Sequence, residues 1–207
     1  MNEIYFQDDI TKSFNQAFNS KDSWTDEKNL FECFSEPFRG GVFKNFFEKG
    51  FIDNLKSQVL SEKFYLKSND LYHFYQSDDL KNSKASCIIA LRELIYSQNF
   101  INWMSKITGI ELNSTIDLSA HRYPQNGHLL CHDDLIGNKN EGRRIAFIIY
   151  LVEPDWDEEE GGLLNMFGCD FNNNPTNIVK SIKPENNKFA FFEVSSKSHH
   201  EGILLLN

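Results

Sequence analysis

Nowhere in the sequence do about 18 apolar residues follow one another, which removes a helical membrane span from consideration. The first ten residues, MNEIYFQDDI, lack the basic segment and apolar run of a secretory leader, so the chain is read as soluble and intracellular, in the cytoplasm or nucleus. Basic charge is scarce. With 21 Lys and Arg against 30 Asp and Glu, a net charge of −9 and no long basic block, a nucleic-acid or membrane-surface binder is disfavoured, and a basic protein or peptide is the better partner. The four cysteines, Cys33, Cys87, Cys131 and Cys169, have no paired spacing, which gives neither a cysteine zinc site nor a disulfide framework and suits a reducing compartment. No phosphate-binding glycine loop and no Ser-His-Asp arrangement is present.

Aromatic residues are plentiful. Nineteen Phe, 7 Tyr and 3 Trp in 207 residues supply ample core for one domain, without room for two full ones. Residues 1–36 are polar with scattered aromatics and no sustained period, and read as an N-terminal extension to a domain spanning 37–207. The run FKNFFEKGFIDNLKSQVL has Phe47, Phe51, Leu55 and Leu60 near helical spacing, weakened by Gly50. FYLKSNDLYHFYQS reads as extended. SCIIALRELIYSQNFINWMSKITG carries Ile88, Leu91 and Ile95 on one helical stripe, with Gly109 as its stop. After Asn113 the period becomes two, with Ile116, Leu118 and Ala120 alternating with polar neighbours. GHLLCHDD, RRIAFIIYLVE, GLLNMFG, TNIVKSI, KFAFFEV and SHHEGILLL follow as short strands. The plan is an α+β domain, with N-terminal helices buttressing a jelly roll of the double-stranded β-helix, cupin-like type.

His132 and Asp134 stand two apart in LLCHDDL, and side chains two apart on a strand share a face, so both can meet one ion while Asp133 points away. A lone His-x-Asp is common by chance. A second histidine from a later strand would complete the two-histidine, one-carboxylate facial set of non-haem iron sites. His199 and His200 both offer it, and as strand neighbours they face opposite ways, so only one can join.

The runs HLLCHDD, GRRIAFIIYLVEPDWDEEEGGLLNMF and IVKSIKPENNKFAFFEVSSKSHH resemble the catalytic domain of the iron(II)- and 2-oxoglutarate-dependent prolyl hydroxylases. With NDLYHFYQSDDLK, the likeness extends to the branch that hydroxylates a proline of a decoding-centre protein in the small ribosomal subunit. The resemblance covers roughly residues 37–200. It implies His132, Asp134 and His200 as metal ligands for Fe(II), with His199 on a non-ligand position. It implies 2-oxoglutarate and O2 as cosubstrates, L-ascorbate as a supporting reductant, and a small-subunit ribosomal protein as substrate. Tyr150, in FIIYLV, matches the tyrosine that supports the distal carboxylate of 2-oxoglutarate, against the plainer reading of a core aromatic at a strand end. Tyr123, in RYPQNG, resembles a pocket-lining tyrosine.

Arg143 and Arg144 read as solvated side chains at a strand entrance, and WDEEEGG as a solvated turn whose charge could hold a basic peptide, with Gly161 and Gly162 permitting the reversal. Family members carry an arginine for the distal carboxylate on a strand after the second histidine, whereas here only EGILLLN follows His200. Lys180 or Lys188 are the candidate substitutes. The alternative function is therefore a truncated, catalytically impaired binding protein, and a ladder edge beside the His200 strand is expected to lie open. A zinc-bound cupin-like hydrolase would use the same ligands but lacks a general base as clear as the cosubstrate tyrosine.

Overall fold

The computed structural model describes residues 1–137, 142–157 and 160–204. Helix α1 (Asp8–Ser20) precedes β1 (Trp24–Thr25), β2 (Phe31–Phe34) and β3 (Gly40–Phe43). Then come α2 (Lys49–Leu60), β4 (Phe64–Ser68), β5 (Tyr72–Ser77), α3 (Ser86–Ile95) and α4 (Gln98–Thr108). The remainder is strand: β6 (His121–Arg122), β7 (His128–His132), β8 (Ile145–Ile149), β9 (Gly161–Cys169), β10 (Pro175–Ile182), β11 (Phe189–Glu193) and β12 (His200–Leu204). Two sheets result, one ordered β1-β2-β3-β11-β8, the other β10-β9-β12-β7-β5-β4 with β6 on β5. Every strand pair is antiparallel, as expected for a jelly roll with helices on one side.

Two apolar layers hold the sheets. Between helices and the first sheet lie Tyr5, Phe14, Phe18, Phe43, Phe46, Trp103, Phe189 and Phe191. Between the two sheets lie Phe34, Val42, Tyr150, Met166, Ile182, Ala190 and Phe192. Strand alternation divides the residues: Phe189 and Phe191 of β11 face the helices, while Ala190 and Phe192 face the second sheet. Each buried phenylalanine is worth about 1.5–3 kcal/mol of burial, so the aromatic stack is a principal source of cohesion. Gly41 is needed where β3 meets α1, because a Cβ there would sit 2.4 Å from Phe14 Cζ.

Residues 1–36 are not an extension. Their α1 presents Thr11, Phe14, Ala17 and Phe18 to the core, and β2 pairs with β3 through Phe31↔Phe43 to Phe34↔Gly40, straddling the expected boundary. Sequence periodicity missed this because the buried stripe of α1 holds only two large apolar residues amid polar ones, and β1 has only two residues. In α2 the buried stripe is Ile52, Leu55 and Val59, with Leu60 exposed, so the helix starts later than the apolar spacing suggested. Ile88, Leu91 and Ile95 are buried as expected, but the segment breaks into α3 and α4 where the Ser97 side chain caps Phe100 N–H. Gly109 ends α4 with φ 69°.

The alternating stretch before His121 is not a strand. It runs as coil, pinned by Leu80 N–H to Leu118 O and Ser77 N–H to Ala120 O. The expected open edge does not lie beside the His200 strand: β12 is paired on both sides, by β9 and β7, and the first sheet ends in β1 and β8.

Candidate metal and cosubstrate site

His132 ends β7 and His200 begins β12, and the register pairs them directly. Directly opposed residues of an antiparallel ladder share a face, so both imidazoles enter the space between the sheets, with ring centroids 4.3 Å apart. Asp134 lies two residues beyond the strand end, where alternation no longer binds it, and its carboxylate bridges the pair: Oδ1 is 3.8 Å from His132 Nε2 and Oδ2 is 3.6 Å from His200 Nε2. The potential ligand atoms of the three residues lie within 4.8 Å of one another. Asp133 turns away, its Oδ1 accepting from Leu135 N–H.

The histidine tautomers are set by backbone. His132 Nδ1 lies 2.8 Å from Leu130 O and His200 Nδ1 2.8 Å from Ser198 O, so each Nδ1 is the donor and each Nε2 keeps a lone pair aimed at the shared space. Burial, together with the nearby His132, holds the His200 imidazole well below the usual histidine range, which favours its neutral, ligand-ready form. The Phe192 ring, 4.6 Å from His200, walls the site. His199 faces out, its Nε2 on Asn173 O at 2.8 Å. Two imidazoles and one carboxylate with fixed tautomers fit a divalent ion such as iron(II).

Tyr150 follows β8 on the inter-sheet face, and its buried hydroxyl has no hydrogen-bond partner among the described residues. A buried hydroxyl without a partner costs about 1–3 kcal/mol, so this one is poised for a guest acceptor such as a carboxylate. Desolvation raises its pKa, with Tyr123 adding to the effect. Tyr123 is half-buried, its phenol pushed up to about 12 by burial and placed beside Gly202 of β12.

Neither candidate lysine offers Tyr150 a free ammonium. Lys180 Nζ is 2.6 Å from Glu32 and lies over the Phe34 ring, and Lys188 Nζ donates to Lys183 O and pairs with Glu185 at 3.0 Å. Arg143 is not simply solvated: Nη1 stands 3.4 Å from Asp134 Oδ1 and Nη2 3.7 Å from Asp117. Sequence pattern missed this link because Asp117 lies in coil far from Arg143 in the chain. In WDEEEGG, Gly161 and Gly162 take φ of 71° and 77°, while Glu158 and Glu159 lie outside the described residues. All four cysteines are free, Cys33 buried and the others half-buried.

Comparison with known proteins agrees with this arrangement. Residues 118–203 match the model of the 2OG-Fe(II) oxygenase superfamily. The chain is 47% identical over 168 residues to prolyl 3-hydroxylase OGFOD1 of Xenopus laevis, covering 81% of this chain and 32% of that protein. It is 32% identical over 215 residues to prolyl 3-hydroxylase sudestada1 of Drosophila melanogaster, covering 97% and 38%. It thus spans about a third of the length of these relatives. Among solved structures, a Pseudomonas putida prolyl-4-hydroxylase superposes with TM-score 0.62 at 14% identity, covering 80% of this chain and 84% of that one. That likeness is one of fold, and a 2OG-Fe(II) oxygenase family protein of Burkholderia pseudomallei shares it at TM-score 0.59 and 9% identity, covering 95% and 86%. The segment that resembles the 2OG-Fe(II) oxygenase superfamily, residues 118–203, holds all three clustered residues.

Proposed function

We propose that the chain is an iron(II)- and 2-oxoglutarate-dependent prolyl hydroxylase, acting inside the cell on a prolyl residue of a small-subunit ribosomal protein, with O2 as cosubstrate and ascorbate as supporting reductant. His132, Asp134 and His200 hold the metal. Bound iron supplies the oxidative chemistry that couples decarboxylation of 2-oxoglutarate to hydroxylation of carbon. Tyr150 donates its hydroxyl to the distal carboxylate, and Tyr123 lines the pocket. Phe192 shields His200 and, with the inter-sheet apolar layer, excludes water from the reacting region.

The observation that carries this reading is the convergence of both imidazole Nε2 atoms on the one carboxylate of Asp134. Relatives named prolyl 3-hydroxylases support the prolyl substrate, and the net charge of −9 suits a basic ribosomal protein. The partnerless Tyr150 hydroxyl favours a cosubstrate pocket over a hydrolytic zinc site. A second reading, a binding protein of impaired turnover, draws on the ion-paired state of Lys180 and Lys188, which leaves the Tyr150 phenol to hold the distal carboxylate without a lysine. The test is succinate formation and peptide mass gain with iron(II), 2-oxoglutarate, ascorbate and a proline-containing ribosomal peptide. Turnover lost in His132→Ala supports the enzyme. Metal and peptide binding without succinate supports the second reading.

A further inference from the structure

A second cavity opens away from the metal, at the seam where β2 and β3 of one sheet face β10 of the other. Its volume is about 270 Å³, and its polar lining consists of Lys44, Lys180, Lys183, Lys188, Glu32 and Glu185, with Asn29 and Ser181 at the margin. Val42 and Ile182 line it too and belong to the inter-sheet apolar layer, while His132, Asp134, His200, Tyr123 and Tyr150 do not line it.

Four ammonium groups meet two carboxylates there, a local excess of positive charge on a chain of net charge −9. Lys180 is matched by Glu32 and Lys188 by Glu185. Lys44 and Lys183 have no side-chain counterion among the described residues. Lys188 is 4% exposed, and desolvation depresses its amine; Glu185 and Glu32 oppose that while the charge of Lys44 adds to it, so the two lysines without a counterion among the described residues, Lys44 and Lys183, leave the cavity with an excess of positive charge. A small anion among these ammonium groups would neutralise that excess.

We infer that this seam is a binding site for a small tetrahedral dianion, inorganic phosphate being the simplest. Lysine favours that choice: its ammonium is a point charge that suits a tetrahedral oxyanion from several sides, whereas planar carboxylates are better matched by the arginine fork, and no arginine lines the cavity.

The test is calorimetric titration of the full chain with inorganic phosphate, alongside Lys44→Ala and Lys183→Ala. Saturable binding is expected on the order of 1 mM or tighter, weakened about fivefold or more in each variant. Cobalt(II) absorption, reporting the His132, Asp134 and His200 set, should stay unchanged and certifies the fold. Lys183 lies in the turn after β10, so Lys183→Ala keeps the test standing if Lys44→Ala fails to fold. A parallel titration with succinate separates anion types. Absence of saturable phosphate binding, equal affinity in a folded variant, or stronger binding of succinate at the same residues would overturn the proposal.

Discussion

Tyr150 donates its backbone N–H to the carbonyl of Lys188 across the β8–β11 ladder, yet the phenol hydroxyl of one makes no hydrogen bond among the described residues while the amine of the other is held by Lys183 and Glu185. Two polar groups brought together by strand pairing are thus in opposite states, one satisfied and one waiting. Tyr150→Phe removes the waiting group. It should leave the ligand-free chain as stable or up to about 1–2 kcal/mol more stable in chemical denaturation, because a buried orphan is deleted. The same substitution should weaken 2-oxoglutarate about tenfold, read by tryptophan fluorescence or calorimetry. A marked loss of stability in the ligand-free state would mean that the hydroxyl already has a structural partner.

Asp134→Ala should weaken iron(II) or cobalt(II) binding by more than about a hundredfold, since even outer partners of a metal site are worth about 10- to 100-fold. Asp133→Ala should leave most of it, because that carboxylate serves Leu135 N–H. Calorimetry on both variants decides; the reverse order would move the ligand.

His200→Ala should abolish metal binding while His199→Ala retains it. His200 is 6% exposed and paired in register with His132, and His199 is engaged by Asn173 O on the other side of the strand. Equal losses would remove the distinction.

Phe14→Ala should destabilise the protein by about 3–5 kcal/mol, the usual cost of emptying a buried aromatic site. Its ring is fully buried against Phe43 and Phe191, with centroids 5.1 and 5.9 Å away. A change of about 0.5 kcal/mol or less, measured in urea, would restore the picture of a dispensable N-terminal segment.

Stability should fall as pH rises above about 10. Burial raises the phenol pKa values of Tyr5, Tyr123 and Tyr150 in the folded state, so in that range the folded chain holds protons that the unfolded chain, titrating near 10.0, has released. Their contribution is complete below the unfolded value and is lost as pH climbs toward the folded one. A tyrosinate absorbance titration should show a delayed group that ionises together with unfolding; smooth ionisation of all 7 tyrosines near 10 would contradict the burial.

Much of the second half was legible in sequence because strand alternation and family-like runs coincide there: each β-prone run from GHLLCHDD onward holds a strand. Parity allowed only one of His199 and His200 to join His132, the family resemblance implied His200, and the pairing of the strands supplied what neither contains, the distance between the rings. Asp134 met the pair for a reason that parity did not contain, since β7 stops at His132. The first 36 residues were illegible because their order comes from long-range packing. Helix α1 does carry a buried stripe at helical spacing, Phe14, Ala17 and Phe18, but with only two large apolar residues among polar ones it becomes core only against β3 and β11.

The sheet order also carries a timetable. Gly41 of β3 pairs with Phe191 of β11, about 150 residues downstream. At a synthesis rate of about 5–20 residues per second, the aromatic face of β2 and β3 waits roughly 8–30 s for its partner strand to be made. Closing so long a loop is slow as well, because its entropy is lost before the contacts form. During that interval Phe31, Phe43 and Phe46 lack the cover that Phe189 and Phe191 later provide, the kind of transiently exposed apolar surface that favours aggregation. His200 emerges later still, so the ligand cluster can assemble only once the rest of the described fold has been made.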